Sequence, residues 1–144
     1  MSNHGDETDF HGDVMNQIRE NGTVGGWFAQ FDMLILHTVG AKSNQPRPNP
    51  MAYQKSQGGD EIYVFASNNG QDNSSAWYHN ALAHPDQVAV EIGRDKFAVR
   101  VRELQGAERD RVYETQANRF ENFAEYQQKT TRRIPVLGLT RTDA

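Results

Sequence analysis

Hydrophobic and polar positions alternate most clearly between residues 88 and 101. Val88, Val90 and Ile92 alternate, and after Gly93-Arg94-Asp95 so do Phe97, Val99 and Val101. Period-two alternation on both sides of a glycine turn predicts an antiparallel hairpin with one buried face. Glu91, Arg100 and Arg102 fall on the opposite face. Leu34, Ile35 and Leu36 are consecutive, so a strand over 32–39 is expected to be buried on both faces. Residues 50–55 and 61–67 read as a second hairpin around Gln57-Gly58-Gly59-Asp60. A last strand is expected over 134–140, where Pro135 suits the first position or an edge.

Helical spacing appears in four places. A short helix over 14–20 ends at Asn21-Gly22, and Gly25-Gly26 turns the chain before Trp27 and Phe28. Asn73-Ser74-Ser75 caps a helix over 75–83, which Pro85 stops. A helix over 106–119 has Glu108 and Asp110 in its first turn and Arg119 at its end, as the helix dipole favours. Another follows over 121–130. Strands with one helix inserted mid-chain and two before the last strand predict an α+β domain whose antiparallel part is a small barrel.

Composition narrows the chemistry. The chain has 144 residues, enough for one domain with a real core. In residues 1–13 the sizeable apolar side chains are Met1 and Phe10, so a disordered tail is expected there and a single domain over 14–144. No apolar run has membrane-spanning length and the start lacks the parts of a signal peptide, so no transmembrane segment is expected. The absence of cysteine excludes disulfides and thiolate catalysis and suits the cytoplasm. A net charge of -4 without a basic stripe argues against nucleic acid. His79 and His84 are five apart and fall on different helix faces, so no metal site is predicted. There is no P-loop, dinucleotide fingerprint or nucleophile elbow.

One stretch runs against the acidic background. Residues 33–59 contain no Asp or Glu but hold Lys42, Arg47 and Lys55. Loop cations are usually just solvated. Here Pro46, Pro48 and Pro50 stiffen the chain into extended geometry, so Arg47 and Asn49 are presented with little entropy left to lose. A phosphate or carboxylate site is the expectation. Farther on, Phe120, Phe123 and Tyr126 form an aromatic stripe at helical spacing, which reads either as core or as a wall against a flat ligand.

Taken in order, Gly40-Ala41-Lys42-Ser43, Gln45-Pro46-Arg47, Asn49-Pro50, Ala66-Ser67, Ala76-Trp77-Tyr78-His79-Asn80, Ala83-His84-Pro85, Tyr126-Gln127 and Ile134-Pro135-Val136 resemble the deazaflavin-dependent nitroreductases of actinobacteria. The resemblance spans residues 25–139. It implies a split β-barrel of the FMN-binding, pyridoxamine-oxidase-like kind with flanking helices. It also implies coenzyme F420 as cofactor, with hydride passing from the reduced deazaflavin to a nitro-aromatic, quinone or conjugated carbonyl compound. By the same resemblance Lys42, Ser43, Arg47, Pro48 and Asn49 meet the cofactor's phosphate and acidic tail, and Pro50 and Met51 lie beside its ring. Ala66, Ser67, Asn68 and Asn69 form the loop at the next strand's end. Ala76, Trp77, Tyr78, His79 and Asn80 open a helix whose free N–H groups suit a phosphate. Phe123 and Tyr126 enclose the substrate side.

Ser67 and Tyr126 are the candidate catalytic residues, as hydrogen-bond or proton donors to the acceptor. The chain departs from the family at Asn44, commonly Gly, and at Asn68-Asn69, commonly Lys-Gly. Phe120 and Phe123 stand where some relatives carry tyrosines. The partner expected is a small-molecule electron acceptor, with no nucleic acid, peripheral membrane contact left open, and a monomeric or homodimeric state. The alternatives are a non-catalytic deazaflavin carrier, or a barrel that binds another ligand such as FMN or a lipid.

Overall fold

A computed structural model of the chain describes residues 3–21, 24–71 and 73–142, with the side chains of all but 3–11, 27, 28 and 69. Residues 1–2 of the expected tail, Gly22 at the expected end of the first helix, and the side chains of Trp27, Phe28 and Asn69 lie outside the described residues.

Helix α1 (Asn3–Asn21) precedes strands β1 (Met33–Val39), β2 (Pro46–Ala52), β3 (Gln54–Lys55) and β4 (Glu61–Phe65). Helix α2 (Ala76–Ala83) leads to β5 (Ala89–Ile92) and β6 (Asp95–Glu103). Helices α3 (Gly106–Arg119) and α4 (Glu121–Gln128) come before β7 (Val136–Arg141). The strands form one sheet in the order β2-β1-β5-β6-β7-β4-β3, with antiparallel neighbours throughout.

That order dictates the shape. Strands β2 and β3 stand at opposite ends of the sheet, yet Tyr53 alone separates them in the chain. Ala52 and Gln54 can then be at most about 7 Å apart. The sheet therefore has to curl until its two edges nearly meet, which gives a half-closed barrel. The prolines of β2 fit this placement. Pro46, Pro48 and Pro50 pair with Val39, His37 and Ile35 on an edge strand. Alternate residues point their N–H groups to the same side, so all three missing donors face outward.

Both faces of the sheet are buried where the sequence predicts. Met33 and Ile35 join one core cluster with Ile18, Tyr63, Phe65, Tyr113 and Phe123. Leu34 and Leu36 join another with Val64, Trp77, Ala81, Val90 and Leu139. The 88–101 hairpin pairs in the expected register, Val90 opposite Phe97.

Several boundaries differ from expectation, and the expected strand over 50–55 is split between the end of β2 and β3. Residues 46–49 are read as loop but belong to β2, because proline is tolerated on an edge. The last strand begins at Val136, after Ile134 and Pro135. Helix α1 begins at Asn3, ahead of the expected start at Val14. Val14 and Ile18 are buried in the core and anchor the C-terminal half of α1, and a helix extends at little cost once such a nucleus exists.

A carboxylate completes that anchor. Arg19 Nε donates to Glu91 Oε2 at 2.7 Å, and His37 Nε2 lies 2.9 Å from Glu91 Oε1. The Arg19 hydrogen bond, followed by that of His37, holds the Glu91 carboxyl below its ordinary 4.5. A depressed folded value means that the contribution is complete above the unfolded value and is lost as pH falls through the folded one. Glu91→Gln is therefore expected to lower Tm by a few degrees at pH 7. The gap from wild type should close as the solution is acidified below pH ~4. Melting curves from pH 7 to pH 3 check this, and a gap that stays constant would mean the charge plays no part.

Candidate functional site

A cavity of about 710 Å³ opens beside β2, the ends of β1 and β4, and the start of α2. Its floor begins at the turn after β1. Gly40 N donates to Gln45 O and Asn44 N to Gly40 O, each at 2.9 Å, which closes a tight loop. Ser43 Oγ accepts from Gln45 N at 3.2 Å. A Cβ on Gly40 would press on that hydroxyl, which would have to rotate away from Gln45 N. Asn44 sits at φ 58°, in the left-handed region. Gly adopts that region freely and Asn tolerates it, so Asn44 meets the demand of the turn.

Helix α2 holds the turn from the side. Asn80 Oδ1 accepts from Ala41 N at 3.0 Å, and His84 Nε2 lies 3.3 Å from Ala41 O. Lys42 and Arg47 are thereby fixed at the rim, exposed, with no carboxylate partner among the described residues. On β2 the residues Arg47, Asn49 and Met51 lie on one pleat face and all line the cavity. Ser75 and Ala76 bring the start of α2 to the same space, and among the described residues no side chain caps that end. Its first-turn N–H groups carry partial positive charge. Met51, Phe65 and Trp77 supply apolar wall. Among the described residues no Asp or Glu lines the cavity.

Of the expected site residues, the cavity gathers Lys42, Ser43, Arg47, Asn49, Pro50, Met51, Ser67, Asn68, Ala76, Trp77 and Asn80. Gly40, Phe65 and Ser75 line it too and were not anticipated. The signal for Phe65 was available, since it immediately precedes Ala66-Ser67 at a strand end. Pro48 lies on the outer edge strand and Ala66 is fully buried. Tyr78 points elsewhere. Its hydroxyl donates to Glu103 Oε2 at 2.8 Å, and burial, reinforced by that bond, pushes its pKa up to about 12. His79 is exposed with its ring against Tyr78. Residues 76, 77 and 80 share a helix face that 78 and 79 do not.

The aromatic stripe divides as well. Phe123 is buried among Phe65, Tyr113 and Phe31 and does not reach the cavity. Tyr126 is half-buried beside Phe123, and its hydroxyl accepts from Asn122 Nδ2 at 3.2 Å. It leaves its own proton free to donate. Asn68 takes φ 46° and donates from Nδ2 to Asn73 O at 3.0 Å. The Asn68 side chain is thus built into its own loop.

This arrangement fits a ligand with an anionic end and a flat apolar body. Among the described residues no group of three or more His, Asp or Glu is placed to hold a metal, and no helix is long and apolar enough to cross a membrane.

Comparison with known proteins gives a consistent result. The F420H(2)-dependent quinone reductase family matches residues 11–141. An F420H(2)-dependent quinone reductase of Mycobacterium tuberculosis is 40% identical over 114 residues, which cover 75% of this chain and 72% of that protein. The solved structure of an F420-H2 dependent reductase, FDR-A, superposes with a TM-score of 0.65 at 32% identity, covering 74% of this chain and 92% of the other. A second structure, described as a domain-swapped dimer, gives 0.67 at 31% identity and covers 92% and 98%. The curled antiparallel sheet with its flanking helices is the split β-barrel these relatives share.

Proposed function

Since the chain belongs to the F420H(2)-dependent quinone reductase family, we propose that the cavity between β2 and α2 is its coenzyme F420 site. The protein is an F420-dependent oxidoreductase and coenzyme F420 is its cofactor. When bound and reduced, that cofactor supplies a hydride to an electrophilic acceptor, for which a quinone or nitro-aromatic is the class proposed.

The observation that carries the assignment is the convergence in one cavity of two cations without a carboxylate partner among the described residues, a helix start and an apolar wall. Lys42 and Arg47 take the phosphate and acidic tail through charge-assisted hydrogen bonds. The first turn of α2 adds N–H donors. Met51, Phe65 and Trp77 exclude water from the ring and hold it flat. The Ser67 hydroxyl lies at the cavity edge and can donate to an acceptor oxygen. Tyr126 acts from the α4 side, outside the cofactor cavity, so its place is with the acceptor.

Titration of purified protein with the cofactor, followed by fluorescence quenching, tests binding. Consumption of the reduced cofactor with a soluble quinone then separates an enzyme from a carrier. Binding without turnover against quinones and nitro-aromatics would reinstate the carrier reading. The related domain-swapped dimer supports a homodimer here, which light scattering on the eluted peak checks.

Tyr126→Phe is expected to change turnover or the acceptor KM several-fold while cofactor affinity stays within about twofold. The phenol contributes one hydrogen bond of about 1 kcal/mol, which corresponds to roughly a fivefold effect. Affinity and steady-state rates are measured on the same preparation. A large affinity loss with normal turnover would place Tyr126 in the cofactor pocket instead.

A further inference from the structure

Ser67 and Asn68, in the loop between β4 and α2, line the cavity, and among the described residues the loop's own hydrogen bonds are few: Gly70 N to Ser67 O, Gln71 N to Asn68 O and Asn68 Nδ2 to Asn73 O. Its regular structure is a single 3-10 turn, Asn68–Gly70. One side chain from outside the loop ties it down. Arg132 lies between α4 and β7. Its Nε donates to Gln71 O at 2.8 Å and its Nη1 to Ser74 Oγ at 2.9 Å. Its Nη2 donates to Ser67 O at 3.0 Å and to Ala66 O at 3.2 Å. Every guanidinium nitrogen is therefore spent on this loop, and among the described residues none meets a carboxylate.

Arg132 is itself braced. Gln127 Nε2 donates to Arg132 O at 2.8 Å, while Gln127 Oε1 accepts from Arg109 Nη2 at 2.6 Å and from Ile134 N at 3.2 Å. Arg109 is buried and also donates from Nε and Nη2 to Ile134 O, at 2.9 and 2.8 Å. The brace thus runs from the core, through α3 and α4, to the cavity loop.

We propose that Arg132 is a positioning residue for the cofactor site. It does not line the cavity. It sets the path of residues 66–74, and through them the places of Ser67, Asn68 and the start of α2. The inference rests on the reading of this cavity as the F420 site. Geometry, rather than charge alone, is what the arrangement demands. The four acceptors fan out around a planar fork, and a lysine, with its donors on a single nitrogen, spans them poorly.

Two readouts test this on the intact protein. Amide hydrogen exchange in the free protein needs no ligand. In Arg132→Ala and Arg132→Lys the amides of residues 66–76 should exchange at least tenfold faster, with the β5–β6 hairpin unchanged. Cofactor titration should show Kd raised at least tenfold in both variants. Arg102→Ala is the control. It breaks the ion pairs to Glu61 and Glu108 near the far end of β4, so it should cost stability and leave Kd within twofold. The proposal is overturned by unchanged exchange in 66–76, by wild-type affinity in Arg132→Lys, or by an equal affinity loss in the control. Wild-type protein that fails to bind the cofactor would bring down the cavity assignment and this inference together. Wild-type binding with an unaffected Arg132→Ala would bring down this inference alone.

Discussion

Replacing Lys42 and Arg47 together by alanine is expected to raise the Kd for coenzyme F420 by about 100-fold or more while leaving Tm unchanged. Each cation is poised for a charge-assisted hydrogen bond worth about 1.5–3 kcal/mol. Each single variant should then lose roughly tenfold or more. Neither side chain has a carboxylate partner among the described residues, and both are exposed at the cavity rim, so removing them breaks no ion pair of the fold. The loss should shrink as salt rises, because exposed charges are screened over about 8–10 Å at ordinary ionic strength. Fluorescence titrations at low and high salt, beside melting curves, provide the check. A double variant whose Kd stays within threefold of wild type at low salt would leave the basic loop merely solvated.

The second large effect is on the cavity loop. Gly70→Ala should lower Tm by roughly 10 °C and weaken cofactor binding as well. Gly70 sits at φ 80°, where an L-residue costs about 1–2 kcal/mol. A Cβ there would lie 2.9 Å from Tyr126 O and 3.0 Å from Tyr126 Cα. Those are backbone atoms of α4, which cannot swing away like a side-chain tip. Overpacking adds about 1–3 kcal/mol, and each kcal/mol moves Tm by a few degrees at this size. Gly59 isolates the contact. It has φ 77° but open space around its Cβ. Gly59→Ala should therefore show the conformational cost alone, and cofactor affinity should not change. Equal Tm losses in the two variants would show that contact with α4 contributes nothing.

Much of the fold follows from local order in the chain. The 88–101 hairpin is legible because period-two alternation and a glycine turn specify the register between neighbours in sequence. The consecutive Leu34-Ile35-Leu36 marks β1 as buried on both faces, and its alternate residues do enter two separate cores. The acid-free stretch 33–59 and the proline ladder indicate a basic, extended segment. The structure puts Lys42, Arg47 and Asn49 of that segment into one cavity. The conformational demands at Asn44 and Asn68 are also partly readable, since both side chains suit turns.

What the sequence leaves undecided is direction and distance. Ala76 to Asn80 form one contiguous motif, but a helix turns about 100° per residue, so Tyr78 and His79 leave the cavity that Ala76, Trp77 and Asn80 line. Phe123 and Tyr126 share a helical stripe, yet one is sealed among aromatic rings and the other is half-buried beside it. The expectation of a strand over 50–55 merges two strands that stand at opposite edges of the sheet, because no local pattern records how a sheet closes. Arg132 reads as one basic residue among several near the C-terminus. Its grip on residues 66–74 spans about sixty positions of chain, and it exists only after the barrel has brought the end of α4 beside the end of β4. Local chemistry chose which residues are polar, stiff or cationic. The closing of the sheet decided which of them meet, because hydrogen bonds and cavity walls depend on separations of a few ångströms in space, and these arise only when distant segments share one packed core.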